Sequence, residues 1–176
     1  RVLRAVKDLE HEGYTFEGAE GSFELLLKKA VGLYKPFFEL LGLRVIIDKH
    51  SLSQDPIAEA SIKVRIGDHL VHTVAEGDGP VHALDLALRR ALEGHYPMIS
   101  EIHLTDYKVR VLNEEAGTEA VVRVLIESAA HGRSWNTVGG SANLIEASCR
   151  ALVDSMEYGL MICDVEPQTG LAVTGK

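Results

Sequence analysis

The first third of the chain has the apolar spacing of two amphipathic helices. In RVLRAVKDLEHEGY the apolar positions recur on one side of a 3.6-residue period, which predicts a helix over residues 2–12 that is closed by Gly13. The string GAEGSFELLLKKAVG predicts a second helix, with Ser22 as its N-cap and Gly32 at its end. Residues 1–42 are therefore expected to form a small helical linker unit with little core of its own.

Alternating apolar and charged residues replace the helical spacing after Leu43. RVIIDKH and EASIKVRI have the two-residue period of strands, and HLVHTVA follows EASIKVRI across a Gly67-Asp68 turn, which predicts a hairpin. A helical stripe follows the GDGP turn, with Pro80 at the first position and Gly94 at the end.

The same order of patterns returns in the second half of the chain. IHLTDYKVRVL, EAVVRVLIES and RSWNTVG read as strands, and SANLIEASCRALVDSMEYG reads as a helix ended by Gly159. Sliding the chain against itself by 60 residues aligns identical residues such as Glu59 with Glu119 and Gly79 with Gly139, which indicates an internal duplication.

The predicted fold class is therefore α+β, with two βββα units related by a pseudo-twofold axis. Each sheet would have one apolar face that its own helix covers only in part, and packing the two units together would bury the rest. These units span residues 43–160 and follow the helical linker at 1–42. The tail at 161–176 lacks periodicity and is expected to be disordered.

Charge and composition exclude several classes of partner. The net charge of −8 over 176 residues argues against duplex nucleic acid and anionic membranes. No apolar run approaches the ~20 residues that span a bilayer. Two cysteines outside any CxxC pattern suit a reducing cytoplasm. Because Arg1 is not an initiator methionine and helical spacing begins at once, the chain is expected to be part of a longer polypeptide.

The sequence offers no combination of side chains that would carry a reaction. His69 and His72 would face opposite sides of a strand, which disfavours a shared metal ion. Cys149 and Cys163 have no neighbour in sequence that would activate a thiol. We therefore predict no catalytic residue and no metal ligand in this chain.

The GDGP turn has two interpretations. It lacks the Lys-Ser/Thr of a phosphate-binding loop, and Asp78 would repel a phosphate, so it could be simply a tight strand-to-helix turn. Alternatively, the alignment of Gly79 with Gly139 predicts two helix N-termini near a pseudo-axis, whose N–H groups would suit a carboxylate. Apolar walls would come from Val81, Ala142 and Leu144. An α-amino acid has both chemical parts.

The strand that opens the second unit supplies another candidate surface. Leu104, Tyr107 and Val111 cannot share one face of a regular strand, so a bulge or bend is required if they act together. The alternative for Tyr107 is ordinary half-buried sheet packing.

Several long strings resemble a known family. EGDGPVHALDLALRRAL, IHLTDYKVRVL and WNTVGGSANLIEASCRALVDSMEYGL look like the C-terminal regulatory domain of the α-isopropylmalate synthase and citramalate synthase family. EHEGYTFEGAEGSFELL and YKPFFELLGLRVI are similar to the linker subdomain of the citramalate synthase branch. The chain departs from that pattern at Asn136, Gly140 and Ala142, which we expect near the start of the second helix.

The resemblance implies a function that this chain performs for another domain. In the family, a TIM-barrel domain condenses acetyl-CoA with a 2-oxo acid and uses a divalent metal, so both cofactors would belong to that missing domain. The regulatory domain forms a homodimer and binds the end-product amino acid, leucine in isopropylmalate synthases and isoleucine in regulated citramalate synthases. Alternatives are a purely structural dimerisation module, a leucine-sensing domain and a free-standing enzyme.

The resemblance also implies an effector site, residue by residue. The first turn would contribute Gly77, Gly79, Val81 and His82. The next strand would contribute Leu104, Tyr107 and Val111, and the strand after it Ala120 and Val122. The start of the second helix would contribute Ala142 and Leu144. Backbone N–H groups near Gly79 and the second helix would take the carboxylate. Without the barrel, residues 1–42 are expected to pack poorly or to pair with a neighbouring chain.

Overall fold

A computed structural model describes residues 2–112 and 114–168. Its helices and strands are, in chain order, α1 (Val2–His11), α2 (Glu20–Ala30), β1 (Glu39–Asp48), β2 (Ile57–Ile66), β3 (His69–Gly77), α3 (Pro80–Glu93), β4 (His103–Val111), β5 (Val122–Ala130), β6 (Arg133–Ser141) and α4 (Leu144–Ile162). Short 3-10 segments lie at Pro97–Glu101 and Glu114–Glu119. Two antiparallel three-stranded sheets, each followed by a helix, confirm the predicted α+β class and the βββα order.

The backbone contacts divide the described residues into two compact units, which we call the α3 unit (residues 35–100 and 164–168) and the α4 unit (residues 2–34 and the described part of 101–163). The helical residues at the N-terminus therefore group with the second βββα unit. The functional division into a linker subdomain, a regulatory domain and a tail stays a prediction, and residues 169–176 of the predicted disordered tail lie outside the described residues.

In the α3 unit, a sheet of order β1-β2-β3 carries α3 on its apolar face. Alternate residues of β2, such as Ile62 and Val64, are fully buried on that face. The Thr73 hydroxyl donates to the Ala87 carbonyl at 2.7 Å, which ties β3 to the middle of the helix. As predicted, β2 and β3 form a hairpin, and Pro80 opens the helix.

In the α4 unit, the order β4-β5-β6 repeats this arrangement under α4. Thr137 donates to the Ala151 carbonyl at 2.8 Å, as Thr73 does to Ala87 in the other unit. Trp135 is buried beside it, and its indole N–H donates to the Ser155 carbonyl at 3.1 Å. The two units thus share strand order, helix placement and one helix-to-strand hydrogen bond.

The structure corrects the register of the duplication. Equivalent elements begin 64 residues apart, not 60, since β1 starts at Glu39 and β4 at His103, and α3 starts at Pro80 and α4 at Leu144. Gly79, the N-cap of α3, therefore corresponds to Asn143 and not to Gly139. The 60-residue alignment was wrong because it matched amphipathic helices that were displaced by about one helical turn.

Two helix boundaries also differ from the sequence prediction. Ser22 lies within α2 and does not cap it; its hydroxyl instead donates to Asp154 Oδ2 at 2.7 Å. Gly159 does not end α4, which continues to Ile162. A Cβ at Gly159 would stand 2.6 Å from the Trp135 ring, so this glycine within α4 permits the helix to pack closely against Trp135.

The N-terminal helices pack well within the α4 unit, contrary to the expectation stated above. They contact the face of β6 opposite α4, where Val138 is fully buried. The Val138 amide donates to the Ser22 hydroxyl at 3.0 Å, and Leu25 of α2 is fully buried. This packing supplies the core that residues 2–34 lack on their own. Residues 39–42, which were predicted as part of the helical linker, instead begin β1 in the α3 unit.

Candidate effector-binding elements

The turn before α3 is fixed by close backbone packing. A Cβ at Gly77 would lie 2.4 Å from the Ala83 amide nitrogen, so only glycine allows this approach. Gly79 is extended and serves as the N-cap, and the Ala83 N–H donates to its carbonyl at 2.9 Å. The Asp78 amide donates to Nδ1 of His82 at 3.2 Å, which holds the His82 ring against the turn.

The two helix starts differ in how their N–H groups are satisfied. Gly79 has no side chain to cap α3, and Pro80 has no N–H, which leaves the Val81 and His82 amides uncapped by that residue. At α4, by contrast, Asn143 Oδ1 accepts from the amides of Ile145 and Glu146 at 2.9 and 3.2 Å. The start of α3 is therefore better suited to receive a carboxylate than the start of α4.

A bulge at Thr105 aligns the predicted residues of β4. Leu104 pairs with Ser128, whereas Tyr107 pairs with Ile126 and Val111 with Val122, with the register shift between Leu104 and Asp106. Paired residues of antiparallel strands point to the same face. Their partners Ser128, Ile126 and Val122 share one face of β5, because they are an even number of residues apart. The three β4 residues therefore share that face as well. The bulge required by the sequence therefore exists.

Tyr107 is oriented by the first turns of α4. Its hydroxyl lies 2.9 Å from the Ser148 hydroxyl, and Ser148 donates to the Leu144 carbonyl at 2.7 Å. Because α4 packs chiefly on β5 and β6, the β4 side chains on this face stay partly open. Leu104 and Val111 are 37% and 48% exposed. This surface is apolar, accessible and bordered by one ordered hydroxyl group.

The remaining predicted residues are distributed around these elements. Val122 opens β5 opposite Val111, Ala120 is buried just before it, Ala142 lies in the turn after β6, and Leu144 is the first residue of α4. Gly77, Gly79, Val81 and His82 belong to the α3 unit and the other seven predicted residues to the α4 unit. The effector site that combines them stays a prediction.

Two of the three departures from the family pattern lie away from this surface. Asn136 and Gly140 are on the opposite face of β6, where the Asn136 amide donates to Glu20 at 3.3 Å. A Cβ at Gly140 would stand 2.6 Å from the Glu12 carbonyl oxygen, so this glycine serves the packing of the N-terminal segment. Only Ala142 adjoins the start of α4, as was predicted for all three.

Sequence reasoning missed Asn143 and Ser148. Asn143 precedes Glu146 by three residues, the spacing of a helix-capping pair, and that signal was available. Ser148 had no such signal, because its contact with Tyr107 joins residues that are distant in sequence.

Other chemistry is limited within the part of the chain that the structure describes. No group of three or more His, Cys, Asp or Glu side chains there could hold a metal ion. Among the same residues, no helix combines the length and apolarity needed to cross a bilayer. Burial raises the pKa of Cys149 to about 12, which opposes its use as a nucleophile.

The structure defines a duplicated βββα domain, and comparison with known proteins supplies its family. Residues 17–160 match the family described as the LeuA allosteric (dimerisation) domain. The chain belongs to this family.

The similar curated proteins agree with the resemblance to the citramalate synthase branch. The chain is 52% identical over 90% of its length to an (R)-citramalate synthase of Geobacter sulfurreducens, and 49% identical over 92% to one of Synechocystis. A 2-isopropylmalate synthase of Shewanella woodyi is 31% identical over 86% of the chain. The chain spans about 30% of the length of these citramalate synthases and 24% of the isopropylmalate synthase.

Proposed function

We propose that this chain is the feedback-regulatory and dimerising domain of a longer acyltransferase, and that it binds a branched-chain amino acid. Isoleucine is the favoured effector and leucine the next. Membership of the allosteric dimerisation family supports the regulatory role, and the citramalate synthase names of relatives at about half identity support the branch for which the resemblance implies isoleucine.

The parent reaction belongs to the same proposal. The parent would condense acetyl-CoA with pyruvate to (R)-citramalate in the cytoplasm, with its divalent metal and acetyl-CoA held by a TIM-barrel domain. This chain would contribute control and assembly, not catalysis. Support comes from the names of relatives that are more than three times as long as the region that matches.

The observation that carries the proposal is the bulge at Thr105. It places Leu104, Tyr107 and Val111 on one partly open apolar face. A branched aliphatic side chain buried against such a face would gain about 1.5–3 kcal/mol.

The α3 unit, taken by itself, offers a separate candidate contact for an anionic group. The Val81 and His82 amides lack a capping side chain, and the N-terminal end of a helix attracts anions through its aligned dipoles. We propose that these amides can receive a carboxylate, whereas the start of α4 is excluded from that role because Asn143 caps it.

A thermal-shift experiment tests the proposal with isoleucine, leucine and valine as ligands. We expect the melting temperature to rise most with isoleucine, and we expect Tyr107→Ala to reduce the rise without unfolding the chain. Leu70→Ala is the matched control, because Leu70 is an exposed aliphatic residue on the outer face of β3. A chain that melts identically with and without all three amino acids would refute the effector assignment.

A second candidate is a structural dimerisation module with a vestigial ligand site. The partly exposed apolar face of β4 favours it as well, because a second copy could cover that face without any ligand. Both candidates are dimers in sedimentation velocity, so the response to isoleucine separates them: the structural module shows no thermal shift with this amino acid. A leucine-sensing domain of a 2-isopropylmalate synthase would instead show its largest thermal shift with leucine.

A further inference from the structure

The α4 unit contains a groove on the face of its sheet opposite α4. The groove has a volume of about 440 Å³, a size typical of small-molecule sites. Residues of the loop between α1 and α2 form one wall, and alternate residues of β4 and β5 form the floor. Because Asp106, Lys108 and Arg110 alternate with Tyr107 and Val111, this floor is separate from the proposed effector surface.

The charges along the groove are arranged in like-sign pairs. Asp106 stands directly opposite Glu127, and Arg110 stands directly opposite Arg123. Like charges in such cross-strand positions repel each other and destabilise a sheet. Lys108 lies between the two pairs and forms an ion pair with Asp106, which compensates the acidic end.

The basic end has no such compensation among the described residues. Arg123 donates from Nε to the Gly13 carbonyl at 2.7 Å, and its other guanidinium N–H groups remain for a further partner. Neither Arg110 nor Arg123 forms an ion pair with a described carboxylate. Burial lowers the pKa of Arg123, and the charge of Arg110 lowers it further. An anion placed between the two guanidinium groups would relieve their repulsion.

The βββα fold does not require two arginines at these paired positions. In the α3 unit, the positions equivalent to Arg110 and Arg123 are Ile46 and Glu59, which pair in the same register. The pair is also unusual for a chain whose net charge is −8. The fold can therefore be built without these two cations at this point.

We propose that Arg110 and Arg123 form a binding site for a small oxyanion at the basic end of this groove. Two adjacent guanidinium groups match the geometry of a phosphate or a carboxylate, since each can donate two parallel hydrogen bonds. Both ligand classes share this oxyanion chemistry. The acidic end, with Asp106, Glu127 and Glu17, would limit the length of an anionic ligand and would favour one that is neutral or cationic at its far end.

Isothermal titration calorimetry of the whole chain tests the proposal with pyrophosphate and malonate as separate probes. We expect saturable binding of at least one, weakened by added NaCl and reduced about tenfold or more by Arg110→Gln, because a charge-assisted hydrogen bond pair is lost. Binding of pyrophosphate alone indicates a phosphoryl ligand, and binding of malonate indicates a carboxylate. Arg110→Lys keeps the charge and should recover only part of the affinity.

Arg44→Gln is the matched control, because Arg44 is an exposed arginine at the position of β1 that corresponds to Lys108. It should bind both probes as the parent chain does. The proposal would be overturned if neither probe bound, or if Arg110→Gln bound the probes as tightly as the parent chain. It would also be overturned if Arg44→Gln lost as much affinity as Arg110→Gln. Each titration is repeated with isoleucine present, and we expect no competition, because the groove floor and the proposed effector surface are on opposite faces of the sheet.

Discussion

Replacing Gly139 by alanine should destabilise the α4 unit strongly. Gly139 lies inside β6, directly beneath α4, and a Cβ there would stand 2.0 Å from the Ala147 carbonyl oxygen. Ordinary contact begins near 3.4 Å, so the helix would have to retreat by about 1.4 Å. The nearest atoms belong to the helix backbone and cannot be relieved by a side-chain rotation.

The energetic cost follows from this displacement. A gap of 0.5–1 Å already loses about a quarter to a half of the dispersion energy of a packed contact. Overpacking typically costs about 1–3 kcal/mol, and a backbone clash of this size should reach or exceed the upper value. That is a large share of a typical stability of about 5–15 kcal/mol.

Urea unfolding measures this cost, with fluorescence of Trp135, the single tryptophan, reporting on the α4 unit. Gly77→Ala, which would place a Cβ 2.4 Å from the Ala83 amide, should destabilise the α3 unit in the same way when circular dichroism is followed. Gly42→Ala is the matched strand control, because no described residue apart from its two chain neighbours has an atom within 4 Å of its Cβ position. If Gly139→Ala unfolds within about 0.5 kcal/mol of the parent chain, the close approach of β6 and α4 is wrong.

Three further predictions address single interactions in the α4 unit. Thr137→Val removes the bond to the Ala151 carbonyl and should cost about 1 kcal/mol in urea unfolding; an unchanged midpoint would contradict this. Burial raises the pKa of Asp154, so ionisation is unfavourable in the folded chain and its contribution to stability falls as the pH rises above the unfolded value of ~3.9. Asp154→Asn should therefore gain stability relative to the parent as the pH rises above about 4, and a difference that does not change with pH would exclude the effect. Because burial raises the pKa of Cys149 to about 12, a thiol reagent at pH 8 should label Cys163 first and Cys149 only after unfolding; equal rates would refute this.

The local patterns of the sequence were sufficient for the order of elements. Alternation in EASIKVRI and the Gly67-Asp68 turn predicted the β2–β3 hairpin, and Pro80 marked the start of α3. These features depend on neighbours within a few residues, so the sequence contains their full cause. The need for a bulge near Tyr107 was also predictable, since strand geometry alone imposes it.

Features set by distant contacts could not be predicted. Ser22 has the composition of an N-cap, but its hydroxyl contacts β6 and α4 more than 100 residues away. Gly139 and Gly159 resemble turn or helix-stop glycines, yet both serve close packing against another element. The repeat register was misjudged for a related reason: amphipathic helices align nearly as well after a shift of one turn, and only the bulges and strand starts define the offset.

The most direct test of the effector proposal is calorimetric titration of this chain with isoleucine. We expect one saturable site, a negative heat-capacity change from burial of the aliphatic side chain, and weaker binding of leucine and valine. Tyr107→Ala should weaken the isoleucine affinity, whereas Leu70→Ala should leave it unchanged. A titration without heat at several temperatures, for isoleucine and leucine alike and with the chain folded, would contradict the assignment of an effector-binding domain.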